Sequence, residues 1–241
     1  MFRADPHGVR PVIVTIHQPE HLPYFGFLDK VNKSDIFVIL DDVQFKKNNF
    51  QNRNQILTPN GPKWLSIPVE MKNLENKDIN AREVKGEWKQ EYRNKIVEAY
   101  RKHPFFDENI VWIDELLALE SDLLIDYNMF AIRKIFELAG INTKIIFSSE
   151  LGIHTFKTQR LFDICLRLNA TGYLAGQGAI DYLDTDVFKG INVLRHTFVH
   201  PEYPQDNSET FVPYMSSLDF LMNVGTTGLR KMLEVSRREN P

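Results

Sequence analysis

The sequence predicts an α/β protein with a mostly parallel central sheet flanked by helices, in a Rossmann-like three-layer arrangement. Short apolar runs rich in β-branched residues recur along the chain, and each stops at polar residues, as strands buried on both faces do. Helical segments separate several of these runs, and strand–helix–strand alternation favours parallel pairing. A longer helical segment, around residues 88–140, interrupts the alternation.

The first strand–helix–strand unit follows directly after the start of the chain. Residues 12–16 read VIVTI and predict a buried strand that ends near Pro19, because proline cannot donate to a β-ladder. A short helix is predicted over residues 25–31, and residues 36–40 predict the second strand. Further parallel strands are predicted at residues 143–147, 172–175 and 192–198.

The remaining predicted elements surround that sheet. Apolar residues at i+4 spacing predict a helix over residues 88–102. The next two helices are predicted over residues 109–119 and from a cap at Ser121 to Leu138, with Gly140 as the stop signal. Thr158 is predicted to cap a helix over 159–168, and a β-hairpin is predicted across residues 60–61.

Length and composition indicate one domain. The chain has 241 residues, of which 43% are hydrophobic and 25% charged, which is an ordinary balance for a protein with a sizeable core. We expect a loose polar leader at residues 1–10 and a single α/β domain over residues 11–241.

Charge and cysteine content limit the expected partners and the expected cellular location. The net charge of -3 gives no reason to expect a nucleic-acid partner, and no apolar run is long enough to predict a membrane span. Cys165 is the single cysteine, so no internal disulfide can form and a cytoplasmic location is predicted. Because Cys165 lies on an apolar helical face, we interpret it as a core residue and not as a nucleophile.

Polar side chains follow each of the five predicted parallel strands. Ligands of open α/β sheets bind at the carboxyl ends of the strands, so we predict that at least three of the five groups converge on one pocket. The groups are His17 with Gln18, Asp41 with Asp42 and Gln44, Ser148 with Ser149, Gly176 with Gln177 and Gly178, and His200 with Tyr203 and Gln205.

Several of these residues also have an ordinary structural interpretation. His17 could simply hydrogen-bond a neighbouring backbone group, and His21 could be a surface residue. Asp41 could stabilise a turn, or Asp41 and Asp42 could bind a divalent cation together with phosphates. The seven histidines and one cysteine show no spacing typical of metal ligands, so no metal site is predicted.

Linked motifs along the chain resemble the WbqC-like family of bacterial proteins. The resemblance covers nearly the whole chain after the leader, with Ala175 where the family pattern is expected to have serine. Its main motifs are IHQP at residues 16–19, DDVQF at 41–45, QNRN at 51–54, SSEL at 148–151, YLAG at 173–176, YL at 182–183, HPEYPQ at 200–205 and FVPYMS at 211–216.

The resemblance implies work on a nucleotide-linked sugar, because genes of this family often accompany those for O-antigen, the lipopolysaccharide side chain, and other surface polysaccharides. We predict group transfer, acylation or aminoacylation, to the amine of a nucleotide-linked amino sugar. His17 is the candidate general base, since an unperturbed imidazole titrates near neutral pH, and Asp41 would orient it or bind a sugar hydroxyl.

Substrate contacts are assigned to polar residues of the same motifs. Lys46, Arg53 and Lys157 would hold the diphosphate, and Gln44, Asn52 and Asn54 would bind the sugar or the base. The other predicted substrate contacts are Gln18, His21, Asp42, Ser148, Gly176, Gln177, His200, Tyr203 and Gln205.

Two alternative functions remain open at this stage. An ATP-using ligase or nucleotidyl transferase is favoured by the order of strand, His17-x-Pro19 and helix, with Lys157, Thr158 and Arg160 as a later phosphate-binding segment. A non-catalytic sugar-binding or assembly protein would account for the many asparagine and aromatic residues. The sequence assigns neither the cofactor nor the oligomeric state.

Overall fold

A computed structural model of the chain describes residues 10–71, 78–180 and 183–239. Apart from Arg10, the predicted leader lies outside the described residues, and so does Tyr182. The strands are β1 (Ile13–His17), β2 (Ile36–Ile39), β3 (Arg53–Thr58), β4 (Gly61–Ser66), β5 (Lys144–Phe147), β6 (Gly172–Ala175) and β7 (Asn192–Arg195). The helices are α1 (Phe25–Asn32), α2 (Lys89–Tyr100), α3 (Phe106–Ala118), α4 (Leu124–Ala139), α5 (Lys157–Arg167), α6 (Gln177–Ile180) and α7 (Ser217–Glu239).

Five strands form one parallel sheet in the order β5-β2-β1-β6-β7. The central strand, β1, pairs with β2 on one side and with β6 on the other. The chain therefore builds outward from β1 through β2 to β5, and then returns to build β6 and β7 on the opposite side. The predicted α/β fold with a parallel central sheet is confirmed.

Both faces of the sheet are covered by hydrophobic side chains. Phe37 and Ile39 of β2 join the larger core, which includes α1, α4 and α7, whereas Val38 between them joins the smaller core against α5. This alternation follows from the two-residue period of a strand. Cys165 of α5 belongs to the smaller core, and its burial raises the pKa of its thiol to about 12, as expected of an unreactive core cysteine.

The helical segment predicted around residues 88–140 is confirmed as α2, α3 and α4. Gly140 ends α4 in the left-handed conformation, with φ of 72°, as predicted. The predicted cap at Ser121 is wrong: α4 begins at Leu124, and the Ser121 hydroxyl instead accepts a 3.1 Å hydrogen bond from the Leu123 amide. The first turn of α4 is thus preceded by an extended Leu123 and not by a capping side chain.

Two further boundaries differ from the prediction. Thr158 does not cap α5, because the helix already begins at Lys157, and the Thr158 hydroxyl accepts a 3.4 Å hydrogen bond from the Asp184 amide. Strand β7 ends at Arg195 and not at residue 198. Strand β7 ends there because its partner β6 ends at Ala175, which pairs with Arg195. The side chain of the next residue, His196, hydrogen-bonds Asp29 of α1 at 2.7 Å.

The hairpin predicted across residues 60–61 is confirmed. Strands β3 and β4 pair antiparallel from Arg53↔Ser66 to Thr58↔Gly61, as a separate two-stranded sheet. None of the described helices is both long enough and apolar enough to cross a membrane.

Candidate functional site

A cavity of about 330 Å³ lies at the carboxyl ends of β1 and β6, where the strand order reverses. Open α/β sheets bind their ligands at this switch point, because the loops after the two strands diverge and leave a crevice. The cavity walls come from the end of β1, from α1 and from the segments after β6 and β7; they include His17, Tyr24, Lys30, Gly176, Gln177 and His196.

His17 is the last residue of β1, and 36% of its side chain is exposed. Its Nδ1 lies 3.1 Å from the carbonyl oxygen of Gln18. A carbonyl can only accept, so Nδ1 carries the proton and the lone pair is on Nε2. The ring edge packs against Phe27, with 5.2 Å between ring centroids, which fixes the plane of the imidazole.

The His17 imidazole is neutral at physiological pH. The pKa of His17 is lowered from 6.5 to about 3. Burial is the larger cause and the nearby Lys30 ammonium the smaller one, while the hydrogen bond to the Gln18 carbonyl opposes the shift. Because 36% of the His17 side chain is exposed, contact with solvent reduces the effect of burial, and a smaller lowering of the pKa still leaves the ring uncharged at pH 7. His17 is therefore uncharged with Nε2 as its proton acceptor, and its lowered pKa makes it a weaker base than a free imidazole.

Glu20 lies next to the Nδ1 side of the His17 ring. Its Oε1 lies 3.7 Å from Nδ1 of His17, and the residue is 9% exposed. Burial raises the pKa of the Glu20 carboxyl from 4.5 to about 7, and attraction to Lys30 opposes that shift. A carboxyl that titrates near neutrality beside an imidazole is a proton-transfer arrangement that occurs at catalytic sites.

Lys30 of α1 lines the cavity although it is only 4% exposed. Burial lowers the pKa of its ammonium from 10.5 to about 8, and attraction to Glu20 opposes the change. Within the described part of the chain, no residue forms a hydrogen bond or an ion pair with its Nζ. A Cβ placed on Gly176 would lie 3.7 Å from Nζ, so the ammonium faces the loop after β6.

His196 occupies the opposite wall and is held in place. Its Nε2 donates a 2.7 Å hydrogen bond to Asp29, which also forms a 3.0 Å ion pair with Lys33. Burial acts to raise the pKa of Asp29, but the hydrogen bonds from His196 and Lys33 outweigh it and lower the pKa overall. The ionised Asp29 thus orients His196 towards the cavity from α1.

Aromatic rings close the rim of the cavity. The rings of Tyr24 and Phe198 meet edge to face, with 6.0 Å between centroids. A Cβ on Gly26 would lie 2.5 Å from the Tyr24 ring, so only glycine at this position leaves room for the ring. Burial raises the pKa of Tyr24 to about 12, so its hydroxyl keeps its proton and can donate a hydrogen bond. The rim can therefore stack on a ring and donate to an acceptor.

The cavity contains members of two of the five groups predicted from the sequence, His17 and the run Gly176, Gln177 and Gly178, so the prediction that at least three groups converge is wrong. Asp41 and Ser148 do not reach it, and the expectation that Asp41 orients His17 is wrong. Both oxygens of the Asp41 carboxylate accept hydrogen bonds from the turn after β5: Ser148 Oγ at 3.1 Å, and the amide and hydroxyl of Ser149 at 3.0 and 2.7 Å. Asp41 joins the ends of two neighbouring strands.

Asp42 belongs to the same polar cluster outside the cavity. It accepts a hydrogen bond from Ser148 and forms a 2.5 Å ion pair with Arg160 of α5. Gln44 and Lys157 are exposed on the surface away from the cavity.

His21 lies in the interior and cannot contact a ligand in the cavity. It is 0% exposed, and its two ring nitrogens form hydrogen bonds with Asn128 and Tyr92. Asn54 is also interior, because its amide donates to the carbonyl oxygens of His21 and Leu22 at 3.2 and 2.8 Å. Both residues hold the turn after β1 against α4 and the hairpin.

The carboxy-terminal group also forms internal contacts. The Tyr203 hydroxyl and the Gln205 amide both donate to Asp219 of α7, at 2.8 and 3.1 Å. His200 packs among aromatic rings next to Phe198, and its Nδ1 lies 2.9 Å from the Pro201 carbonyl. These residues support the rim from behind and do not line the cavity.

The remaining assigned residues lie near the hairpin. Asn52 and Arg53 line a separate cavity of about 280 Å³, where the Arg53 guanidinium stacks 4.1 Å above the ring of Trp64. Lys46 is exposed. The Gln18 side chain accepts a 2.7 Å hydrogen bond from Gln51, which turns it away from the cavity.

Sequence reasoning assigned no site role to Glu20, Lys30 or His196. Lys30 lies in α1, where every residue from Phe25 to Val31 is buried, and only the structure reveals that burial. His196 was hidden inside an overlong predicted strand. Among the described residues, no three His, Cys, Asp or Glu side chains are grouped as a metal would require.

The fold and the cavity define a Rossmann-like α/β protein with its polar cavity at the switch point of the sheet. The chain belongs to the WbqC-like protein family, whose sequence profile matches residues 18–231. It is 29% identical to the uncharacterized protein Rv1507c of Mycobacterium tuberculosis over 217 residues, which cover 88% of this chain and 94% of that protein. No solved structure matches the chain.

Proposed function

We propose that this protein is a transferase that attaches an acyl or aminoacyl group to the amine of a nucleotide-linked amino sugar, in the cytoplasmic synthesis of O-antigen or a related surface polysaccharide. The observation that carries the proposal is the cavity at the switch point, where the unprotonated Nε2 of a neutral His17 is available to a bound ligand.

The chemistry needs a proton acceptor beside the attacking amine. The amine nitrogen attacks the carbonyl carbon of the donor, a C–N bond forms, and the bond from that carbon to the leaving group breaks. His17 accepts the proton that the nitrogen loses and passes it to the leaving group. General base catalysis of this kind contributes about 10²–10⁴-fold to the rate.

Glu20 supports this role electrostatically. When His17 accepts the proton, an imidazolium forms 3.7 Å from the Glu20 carboxyl. An ionised carboxylate at that distance stabilises the cation, because the surroundings are buried and the effective dielectric constant is low. Glu20 is therefore a positioning and charge-stabilising residue that acts through His17.

The cavity size suits part of such a substrate. Its volume of about 330 Å³ is at the lower end of the roughly 300–1,000 Å³ typical of small-molecule sites. We infer that the sugar ring with its amine occupies the cavity, while the aromatic rim of Tyr24 and Phe198 contacts the adjoining part of the ligand.

A thermal-shift screen with nucleotide-linked amino sugars, acyl donors and ATP with magnesium tests the proposal. A ligand at a hundredfold excess over its Kd stabilises the native state by about 2.7 kcal/mol, or roughly 5–11 °C in Tm for a chain of this size. Stabilisation by a nucleotide-linked amino sugar, followed by mass-spectrometric detection of its acylated product, supports the transferase.

The same screen separates the alternatives. Stabilisation by ATP with magnesium, but by no nucleotide-linked sugar, would favour a ligase or nucleotidyl transferase instead. Binding of the sugar without any product, across the acyl donors tested, would favour a sugar-binding protein.

A further inference from the structure

We propose that Lys30 is the anion-binding residue of the cavity and pairs with a phosphate or carboxylate group of the bound ligand. The inference rests on the proposed function only in placing the ligand in this cavity, and it does not depend on which group is transferred.

The first support is burial without a fixed partner. Lys30 is 4% exposed and lines the cavity, yet no described residue hydrogen-bonds or ion-pairs its Nζ. Burying an ammonium is unfavourable unless something compensates its charge, so lysines are almost never buried unpaired. Lys33, the residue that caps the carboxyl end of α1, is compensated in the usual way by a 3.0 Å ion pair with Asp29.

The second support is the space beside the ammonium. Gly176 faces Nζ across the cavity, and its missing Cβ would lie 3.7 Å from that atom. Glycine at this position leaves the ammonium open to a ligand group, whereas a longer side chain would cover it. Gln177 follows in the wall and can donate an amide hydrogen bond to the same group.

The third support is the charge around Lys30. Asp29 is already engaged by His196 and Lys33, and His17 is neutral. Glu20 attracts Lys30, but its raised pKa of about 7 leaves the carboxyl only partly ionised at neutral pH, so it compensates the charge of Lys30 only in part. The ammonium is thus left with a local excess of positive charge that an oxyanion would neutralise.

The other cations considered for this role lie elsewhere. Lys46 and Lys157 are exposed on the surface, and Arg53 stacks on Trp64 at the separate cavity beside the hairpin. Lys30 is therefore the lysine that can meet the anionic part of a ligand lying beside His17.

The test is an NMR titration of the full-length protein, monitoring the Gly176 amide and the His17 ring. Inorganic pyrophosphate represents the phosphates of a nucleotide-linked sugar, and acetate represents the carboxylate of an acyl or amino-acid donor. The variants are Lys30→Met, which keeps the length of the side chain, and the control Lys46→Met, which removes an exposed lysine away from the cavity. Gly176→Ala is a second variant; the added Cβ makes only an ordinary van der Waals contact, so it folds but covers the ammonium.

We expect the wild type and Lys46→Met to bind one or both probes at Gly176 and His17. We expect Lys30→Met to bind at least tenfold more weakly, the usual effect of losing one charge-assisted hydrogen bond. Gly176→Ala should also weaken binding. Stronger binding of pyrophosphate would assign the site to the nucleotide-linked sugar, and stronger binding of acetate would assign it to the donor.

A folded Lys30→Met protein that binds both probes like the wild type would overturn the inference, and so would a wild type that binds neither. The outcome is separable from that of the proposed function. Lys30-dependent anion binding in a protein that forms no acylated sugar would leave the inference standing and remove the transferase. Formation of the acylated sugar, together with unchanged anion binding in Lys30→Met, would support the transferase and remove the inference about Lys30.

Discussion

The hydroxyl of Tyr92 donates a 2.7 Å hydrogen bond to Nε2 of His21 in the protein interior. The direction follows from Asn128, whose amide nitrogen donates to the Gln51 carbonyl and whose oxygen therefore accepts from Nδ1 of His21. The ring is held as a neutral tautomer. Burial lowers its pKa from 6.5 to about 4, which the hydrogen bond to Asn128 partly opposes.

Acid should therefore weaken the fold through His21. The unfolded state takes up a proton near pH 6.5 and the folded state only near pH 4, so the contribution of His21 is complete above pH 6.5 and is lost as the pH falls to 4. We expect the difference in unfolding free energy between wild type and His21→Gln to shrink by about 3 kcal/mol over that range. Urea unfolding at several pH values measures it, and a constant difference would contradict the assignment.

Glu20 should give the opposite pH dependence. Its pKa is raised from 4.5 to about 7 in the folded protein, so the native state binds more protons than the unfolded state between these values, and stability declines as the pH rises through them. Glu20→Gln removes the titration. The variant should gain stability relative to wild type as the pH rises from 4.5 to 7, and urea unfolding at matched pH values would show this. A variant that loses stability relative to wild type over the same range would argue against the raised pKa of Glu20.

We expect Asp41 to contribute to the stability of the fold and not to ligand binding. Asp41→Ala leaves the amide and hydroxyl of Ser149 without their acceptor at the ends of β2 and β5, so we expect the unfolding free energy to fall by about 1–3 kcal/mol. Ligand affinity of the folded variant should stay within a few-fold of wild type, because the cavity does not include Asp41. Full stability combined with a large loss of turnover would restore Asp41 to the catalytic site.

Gly225 interrupts α7 with φ of 67° and ψ of -177°, a conformation that is essentially restricted to glycine. A Cβ there would also lie 2.6 Å from the ring of Phe105. Gly225→Ala should therefore lower the unfolding free energy by about 2–5 kcal/mol, combining backbone strain and overpacking.

Gly86→Ala is the control for that change. Gly86 has a similar φ of 69°, but no atom lies within 4 Å of its added Cβ, so only the backbone effect remains. Thermal unfolding of both variants should show the larger loss for Gly225→Ala. Equal losses would mean that the contact with Phe105 does not matter.

The sheet could be predicted because its signal is local. Five apolar runs, each ending in polar residues, required no knowledge of distant contacts, and all five are strands of one parallel sheet. The cavity was predictable in part for the same reason: His17 and Gly176 follow directly on β1 and β6. The general rule for open sheets then placed them together.

The rest of the site depends on contacts between residues far apart in the sequence. His21 lies only four residues after His17, but Asn128, 107 residues away, holds it in the interior. Asp41 looked like a pocket carboxylate until Ser148 and Ser149, contributed by another strand, occupied its oxygens. Burial also depends on distant contacts, so the residues next to Lys30 in the sequence do not reveal that it is only 4% exposed.

The most direct test of the account is the turnover of His17→Gln on a nucleotide-linked amino sugar with its acyl donor. Glutamine can still hydrogen-bond but cannot accept the proton, so kcat should fall by about 10²–10⁴-fold. The Tm and the affinity for the sugar should stay close to wild type, and His17→Ala should show the same loss of kcat. Wild-type turnover in a folded His17→Gln protein would contradict the assignment of His17 as the general base.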